Sequence, residues 1–377
     1  MDAIRPHPTR TPANRQAPEP AVRLTVVRVP PAREAGFLRR NRTLVLFAAF
    51  LVGTDVLVGR FARVWERHSP DDYAARVTAC AREPRDLVFV GGSPLAEGVD
   101  PARLAGVVRG GRALASVYAV GLSGATTSDV YHGVLRACPT PPRVLVYGLT
   151  ATDLNDARHE PHGPHSLMTW GDLAGWVRLR PEAAGWVTRH YLLSRAGDLS
   201  NLVRYRHGIR MWAACEAERV FPGSSPESYR EADELRERAA ALETGNGYVP
   251  ARGFKTGRYD ALKAAGLADR DFPYLRKYRI GSHLKYLHRL VDWCAAGGTD
   301  LVVVDLPVTA DLETRYAAEF AEYRGRLAEL ERDRGVRVAR ITREAAGLTD
   351  AEFADEIHLN PAGAARVSDR VRAELAR

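Results

Sequence analysis

Two stretches far apart in the chain hold side chains that could do chemistry together. The first is LVFVGGSPLAEG, residues 87–98, where a run of β-formers stops on Gly91-Gly92 and hands the chain to Ser93. Glycines permit a tight turn and close approach to the backbone. A serine there presents its hydroxyl at the carboxyl end of a strand, with its own N–H at a helix N-terminus that favours negative charge. The same turn would suit a phosphate, but the stretch has neither the lysine of a phosphate-binding loop nor a full G-x-G-x-x-G pattern. The second stretch is DEIHLNPAGA, residues 355–364. A serine is a poor nucleophile without a base, and of the eleven histidines His358 is the best placed to be one. Asp355 lies three residues before it. In a turn that spacing lets the carboxylate reach Nδ1–H and fix the tautomer, leaving Nε2 to face Ser93.

Charge developing on a substrate oxygen needs donors at the same edge. VGLSGATTSD, residues 120–129, ends a second strand and offers the Gly124 N–H. YGLTATDLND, residues 147–156, ends a third, where a side-chain donor is expected and Thr150, Thr152 and Asn155 are the candidates.

Alternating elements must position these residues. Helical patterns over 71–83, 126–138, 312–335 and 361–377 separate strand patterns at 86–90, 115–122, 143–149, 301–307 and 336–341. The segment DPARLAGVVRGG, residues 100–111, reads as a helix stopped by a glycine pair. Strands separated by helices predict a parallel sheet with helices on both faces and ligands at the carboxyl ends of its strands. Residues 157–280 interrupt the rhythm as a mainly helical insertion. Its Trp170, Trp176, Trp186 and Trp212 suit the insertion's own core better than a carbohydrate groove. The basic stretch 273–289 suits a solvated helix face, an anionic glycan or a partner at the membrane surface.

Residues 1–42 are rich in Pro and Arg and predict a disordered basic tail. TLVLFAAFLVGTDVLVG, residues 43–59, then runs between Arg42 and Arg60. It predicts a membrane anchor over 43–62, although a little short and carrying Asp55. The positive-inside rule places the tail in the cytoplasm and the main domain, 65–377, outside it, periplasmic or at the cell surface. The formal charge is +8, but no nucleic-acid-binding signature accompanies it. The four cysteines lack zinc-site spacing. Cys80 and Cys138 each precede a strand and could pair as a disulfide in an oxidising compartment.

GGS after the first strand, LSGATT after the second, a polar residue after the third and DxxH near the C-terminus together resemble the SGNH hydrolase (GDSL-like) superfamily, over about residues 86–156 and 295–377. The resemblance implies a flavodoxin-like three-layer α/β/α sandwich. It implies Ser93 as nucleophile, Gly124 as an oxyanion-hole donor, His358 as general base and acid, and Asp355 as its orienter, with no metal or organic cofactor. One departure stands out. The superfamily's G-x-N-D block after the third strand reads Gly148-Leu149-Thr150-Ala151 here, so Thr150 falls where asparagine is expected and Asn155 is the substitute. GGSPLAEGVDPARL, GLTATDLND, VVVDLPVT and DEIHLNPAGA behind an N-terminal anchor are also similar to membrane-tethered SGNH-like proteins of bacterial cell-envelope modification, among them alginate O-acetylation and D-alanylation-related proteins. That likeness implies a serine-dependent acyl, usually acetyl, ester hydrolase or O-acyltransferase. Its substrate would be an envelope polysaccharide or a small acyl ester, and its neighbour a multi-spanning membrane acyltransferase. The alternative is a catalytically weak or inactive glycan-binding or partner protein on the same fold.

Overall fold

Short runs of aliphatic residues, each ended by glycine or a polar residue, build the centre of the protein. A computed structural model describes residues 41–68, 72–158, 168–224, 245–248, 258–266 and 272–377. In chain order the strands are β1 (Leu87–Gly91), β2 (Val107–Arg109), β3 (Arg112–Leu114), β4 (Val117–Gly121), β5 (Val144–Leu149), β6 (Asp300–Asp305) and β7 (Arg337–Arg340). Five of them form one parallel sheet in the order β4-β1-β5-β6-β7. Alternate residues of β1 feed two apolar clusters. Val88 and Val90 join Val130, Leu287, Tyr323 and Leu327 from helices Thr127–Ala137, Ser282–Gly297 and Ala317–Arg334. Leu87 and Phe89 join Leu95 and, from helix Pro361–Leu375, Val367 and Val371. Burial on both faces explains why these strands read as continuous apolar runs.

One expected helix is not there. In 100–111 only Pro101–Leu104 is helical, as a single 3₁₀ turn, and the rest forms the antiparallel pair β2–β3. Gly110 and Gly111, expected to stop a helix, have φ of 54° and 74°. Two successive left-handed residues suit a tight hairpin turn whose twist matches its strands. The long helix expected over 312–335 is broken at Tyr316 into Ala310–Arg315 and Ala317–Arg334.

Helices Trp170–Leu179, Ala184–Leu199 and Asn201–Val220 form most of the described insertion. Trp176 is buried with Leu173, Val187, Tyr191 and Tyr286, and Trp186 packs against that cluster. Trp170 meets Tyr191 edge-on while remaining 62% exposed, and Trp212 meets Trp65. The tryptophans do not share one groove. Within the insertion, residues 244–260 (TGNGYVPARGFKTGRYD) carry no helical or strand pattern in the sequence, and of them 244 and 249–257 lie outside the described residues. Within 245–248, the Asn246 carbonyl accepts from Ala119 N–H at 2.8 Å, along the edge of β4. Gly247 there has a φ of 84°, and a Cβ on it would strike the Ala119 carbonyl.

The four cysteines are buried and unbridged. Cys80 and Cys138 do meet, and the Cys138 thiol hydrogen bond pulls the Cys80 pKa below its ordinary value. The expected disulfide is replaced by a thiol pair. Contacts divide the chain at Val52. Described residues before that point belong to helix Arg42–Arg60, which is long and apolar enough to cross a membrane by length and composition. The tail expected over 1–42 lies almost wholly outside the described residues.

Candidate active site

Three glycines stand in register at the carboxyl ends of neighbouring strands: Gly121 of β4, Gly91 of β1 and Gly148 of β5. The short helix Ser93–Gly98 rests directly on this row. A Cβ at Gly91 would lie 2.8 Å from the Leu95 Cβ and collide with the Gly148 carbonyl, one at Gly121 would collide with Ala96, and one at Gly148 with Leu95. Only a row without side chains lets the helix settle so low. Leu95 then enters the core while Ser93, at the first helical position, stays at the rim with 9% exposure.

The DxxH segment reaches the same rim from the far end of the chain. The isolated bridge between Phe353 and Leu359, with Ala354 N–H donating to the His358 carbonyl at 2.8 Å, closes it into a loop. Asn360 caps helix Pro361–Leu375 through Ala362 and Gly363 N–H and donates to the Ala351 carbonyl at 2.8 Å. Asp355 Oδ1 accepts the N–H groups of Ile357 (3.0 Å) and His358 (2.8 Å). The carboxylate also meets His358 Nδ1, with Oδ2 at 2.7 Å and Oδ1 at 2.9 Å. On the other side of the ring, His358 Nε2 lies 2.8 Å from Ser93 Oγ.

These partners fix the protons. Burial pushes the Asp355 pKa up, but the His358 hydrogen bond, its charge and the two backbone N–H groups outweigh that and hold it below the ordinary value. An ionised carboxylate only accepts, so Nδ1 carries the imidazole hydrogen and Nε2 accepts from the Ser93 hydroxyl. This is the arrangement a serine needs to lose its proton as it attacks.

The candidate oxyanion donors divide. Gly124 sits in the turn after β4 with a φ of 73°, where Ala125 N–H donates to the Leu122 carbonyl at 3.0 Å. The Ala125 carbonyl would lie 3.3 Å from a Cβ on Gly92, so this turn packs against the Gly92–Ser93 corner. Among the described residues, neither the Ser93 nor the Gly124 N–H has a hydrogen-bond acceptor. Thr150 is placed otherwise. Its N–H donates to Asp153 Oδ2 at 2.7 Å, and its hydroxyl lies 3.1 Å from the same oxygen and 2.8 Å from Thr152 Oγ1. Asn155 Nδ2 donates to the carbonyls of Tyr274 (2.9 Å) and Arg276 (3.3 Å), while Oδ1 accepts from Ala157 and Arg279 N–H. Both side chains are buried and engaged, Thr150 with side chains of its own turn and Asn155 with backbone.

Asp153 was not among the candidate residues, yet it organises the turn after β5. The signal was present as T-x-x-D, the capping pattern in which a side chain three residues on returns to the cap N–H. Thr126-x-x-Asp129 repeats it after β4, with Asp129 accepting from Thr126 N–H at 2.9 Å and hydroxyl at 2.7 Å.

A cavity of about 650 Å³ opens at the ends of β6 and β7, lined by Asp305, Arg324, Arg340, Thr342 and Arg343 among others. Ser93, Asp355 and His358 do not line it. Burial raises the Asp305 pKa to about 6, opposed by the Arg324 charge and the Tyr323 hydroxyl. No cluster of three His, Cys, Asp or Glu that could hold a metal occurs among the described residues. No known protein family matches the chain, and no curated protein matches it significantly.

Proposed function

We propose that this chain is a serine-dependent acyl-transfer enzyme of the SGNH type, either an ester hydrolase or an O-acyltransferase. One observation carries the reading: Ser93 Oγ, His358 Nε2, His358 Nδ1 and Asp355 form a continuous hydrogen-bonded line at the carboxyl edge of a parallel sheet. The strand order supports the finer fold reading, since second-first-third-fourth-fifth is the flavodoxin-like winding and ligands bind at its switch point beside the first strand. Apolar clusters on both sheet faces suit the three-layer sandwich.

In this reading Ser93 Oγ attacks the ester carbonyl carbon as its proton passes to His358 Nε2. The Ser93 and Gly124 N–H groups receive the oxyanion, and Asp355 steadies the imidazolium. The intermediate collapses, His358 returns the proton to the leaving alcohol, and the acyl group stays on Ser93. Water or a sugar hydroxyl then attacks that ester, with His358 acting as base again. The resemblance to envelope-modifying proteins assigns an acetyl ester of an envelope polysaccharide, and the apolar helix Arg42–Arg60 suits a membrane-held enzyme beside a multi-spanning acyl donor. A glycan-binding role is the second reading, favoured by Asn155: the side chain that would replace the missing asparagine is fully engaged elsewhere.

The test is the intact mass of the full chain in detergent after exposure to a fluorophosphonate, beside hydrolysis of p-nitrophenyl acetate. A single adduct and turnover, both absent in Ser93→Ala, support the enzyme. No adduct, with equal rates for both proteins, would sink it in favour of the glycan binder.

A further inference from the structure

The end of the apolar helix is clamped to the insertion. Asp55 accepts hydrogen bonds from Ser200 Oγ (2.6 Å), Leu202 N–H (2.9 Å) and Asn201 Nδ2 (3.3 Å). It thereby closes the N-terminus of helix Asn201–Val220, whose first N–H groups need acceptors. Gly59 also lies against Asn201, where a Cβ would approach Nδ2 to 2.6 Å. Farther along, the Trp65 carbonyl lies where any side chain on Gly208 would collide, and the Trp65 ring meets Trp212 at 5.4 Å. Asp55 with Leu202, then Trp65 with Gly208 and Trp212, shows the two segments running side by side in one direction. The turn at 199–201 is therefore level with Asp55, and helix Asn201–Val220 leads away from it.

Leu199, at that turn, is 90% exposed. Helix Ala184–Leu199 reaches it with Gly185, Thr188, Arg189, Leu192 and Leu193 lining a shallow, mainly apolar groove on one face. Val56 and Leu57, next to Asp55 in the apolar run, are exposed as well. Arg60 and Arg63 on one segment, and Arg204 and Arg206 on the other, are exposed and have no acidic partner among the described residues. Arg60 lies five positions beyond Asp55, about 7.5 Å of helix. Apolar side chains at a lipid surface sit about 5–10 Å below the headgroups, so the leucine tip and the arginines match two levels of one interface.

We propose that the Leu199 turn and the Leu192–Leu193 face enter the lipid surface that the apolar helix crosses, with the four arginines at the headgroup phosphates. The inference rests on the reading of Arg42–Arg60 as a membrane span. Asp55 then lies below the headgroups with its carboxylate satisfied by three donors, which removes most of the cost of a charge at that depth.

Depth measurement tests this on the full chain in vesicles of phosphatidylethanolamine and phosphatidylglycerol. Nitroxides are placed by Phe50→Cys, Leu199→Cys, Leu192→Cys and Phe221→Cys, the native cysteines being buried. Phe221 is exposed at the far end of helix Asn201–Val220 and reports water. The expected result is relaxation by oxygen rather than by a nickel chelate at Phe50, Leu199 and Leu192, and the reverse at Phe221. Labels at Leu199 and Leu192 as open to nickel as Phe221, with Phe50 still in lipid, would overturn the inference and leave the span intact. Shielding of both from oxygen and nickel alike would assign the face to a protein and overturn it as well. A Phe50 label in water would remove the span itself.

Discussion

Two strands carry a glycine at the same sheet edge and lead into a hydroxyl side chain, Gly91 toward Ser93 and Gly148 toward Thr150, yet the two turns use that hydroxyl in opposite ways. After β1, Ser93 sends its hydroxyl across the molecule to His358, a residue 265 positions away. After β5, Thr150 turns its hydroxyl back onto its own loop, to Asp153 and Thr152, and Asn155 holds the 274–279 segment in place. The difference lies in the residues just beyond each hydroxyl. Asp153 offers Thr150 a local acceptor, whereas Ser93 is succeeded by Pro94, Leu95 and Ala96, none of which offers a side-chain acceptor. A hydroxyl becomes available for chemistry where its own loop gives it nothing to bond.

The sharpest way to break this comparison is to remove each side chain in turn. Ser93→Ala should lower turnover of an activated ester about a millionfold relative to the native chain, with the melting temperature unchanged within a degree or two. A residual rate near native would mean that the serine is not the nucleophile. Asp355→Asn comes next, at about 10,000-fold in kcat, because the amide can favour the wrong imidazole tautomer. Unaltered kcat there would leave the carboxylate as a loop brace only.

Asn155→Ala should act on the other axis. Its loss removes two donations, to the Tyr274 and Arg276 carbonyls, and the acceptor of the Ala157 and Arg279 N–H groups, for about 2–3 kcal/mol of stability. The kcat of the folded fraction should stay within a few-fold of native. A drop of a hundredfold or more with little loss of stability would return Asn155 to the oxyanion hole. Thr150→Val should cost about 1 kcal/mol, the ordinary worth of a cap, read by urea denaturation.

Acid titration extends the contrast to two carboxylates. The folded-state pKa of Asp355 is lowered, so its contribution to stability is full above the ordinary carboxylate range and is lost as pH falls below that range through the lowered folded-state value. Asp305 is raised to about 6 by burial. The folded protein then holds that proton more tightly than the unfolded chain, and stability falls as pH rises from about 4 to 6. Asp305→Asn should therefore stabilise the fold at pH 8 relative to pH 4.5, by about 2 kcal/mol. A gain independent of pH would show that Asp305 ionises normally.

Much of the molecule was legible in the residues themselves. The five strands showed as short apolar runs because both faces of the sheet are covered, and the Ser93, Asp355 and His358 spacing already contained the geometry found. The β2–β3 hairpin was not legible. Its Gly110-Gly111 pair signals a helix stop and a left-handed hairpin turn alike, and three-residue strands are too short to show a period. The role of Thr150 was legible and was missed, because T-x-x-D announces a capped turn whatever precedes it. The position of Asp55 could not be read at all, since its partners at 200–202 lie about 145 residues away and no local pattern marks them.

The 245–248 segment beside β4 has a consequence for motion. An open sheet edge is a row of unmet donors and acceptors, and proteins that leave one bare risk recruiting other chains. Here the insertion supplies the missing neighbour: Asn246 bonds Ala119, and the Gly247 carbonyl takes the buried Arg76 guanidinium at 2.6 Å. The insertion is thus stitched to the sheet near one end and to Asp55 in its middle. A lobe fastened at two such points travels with the body beneath it, and anything that frees it must first uncover a strand.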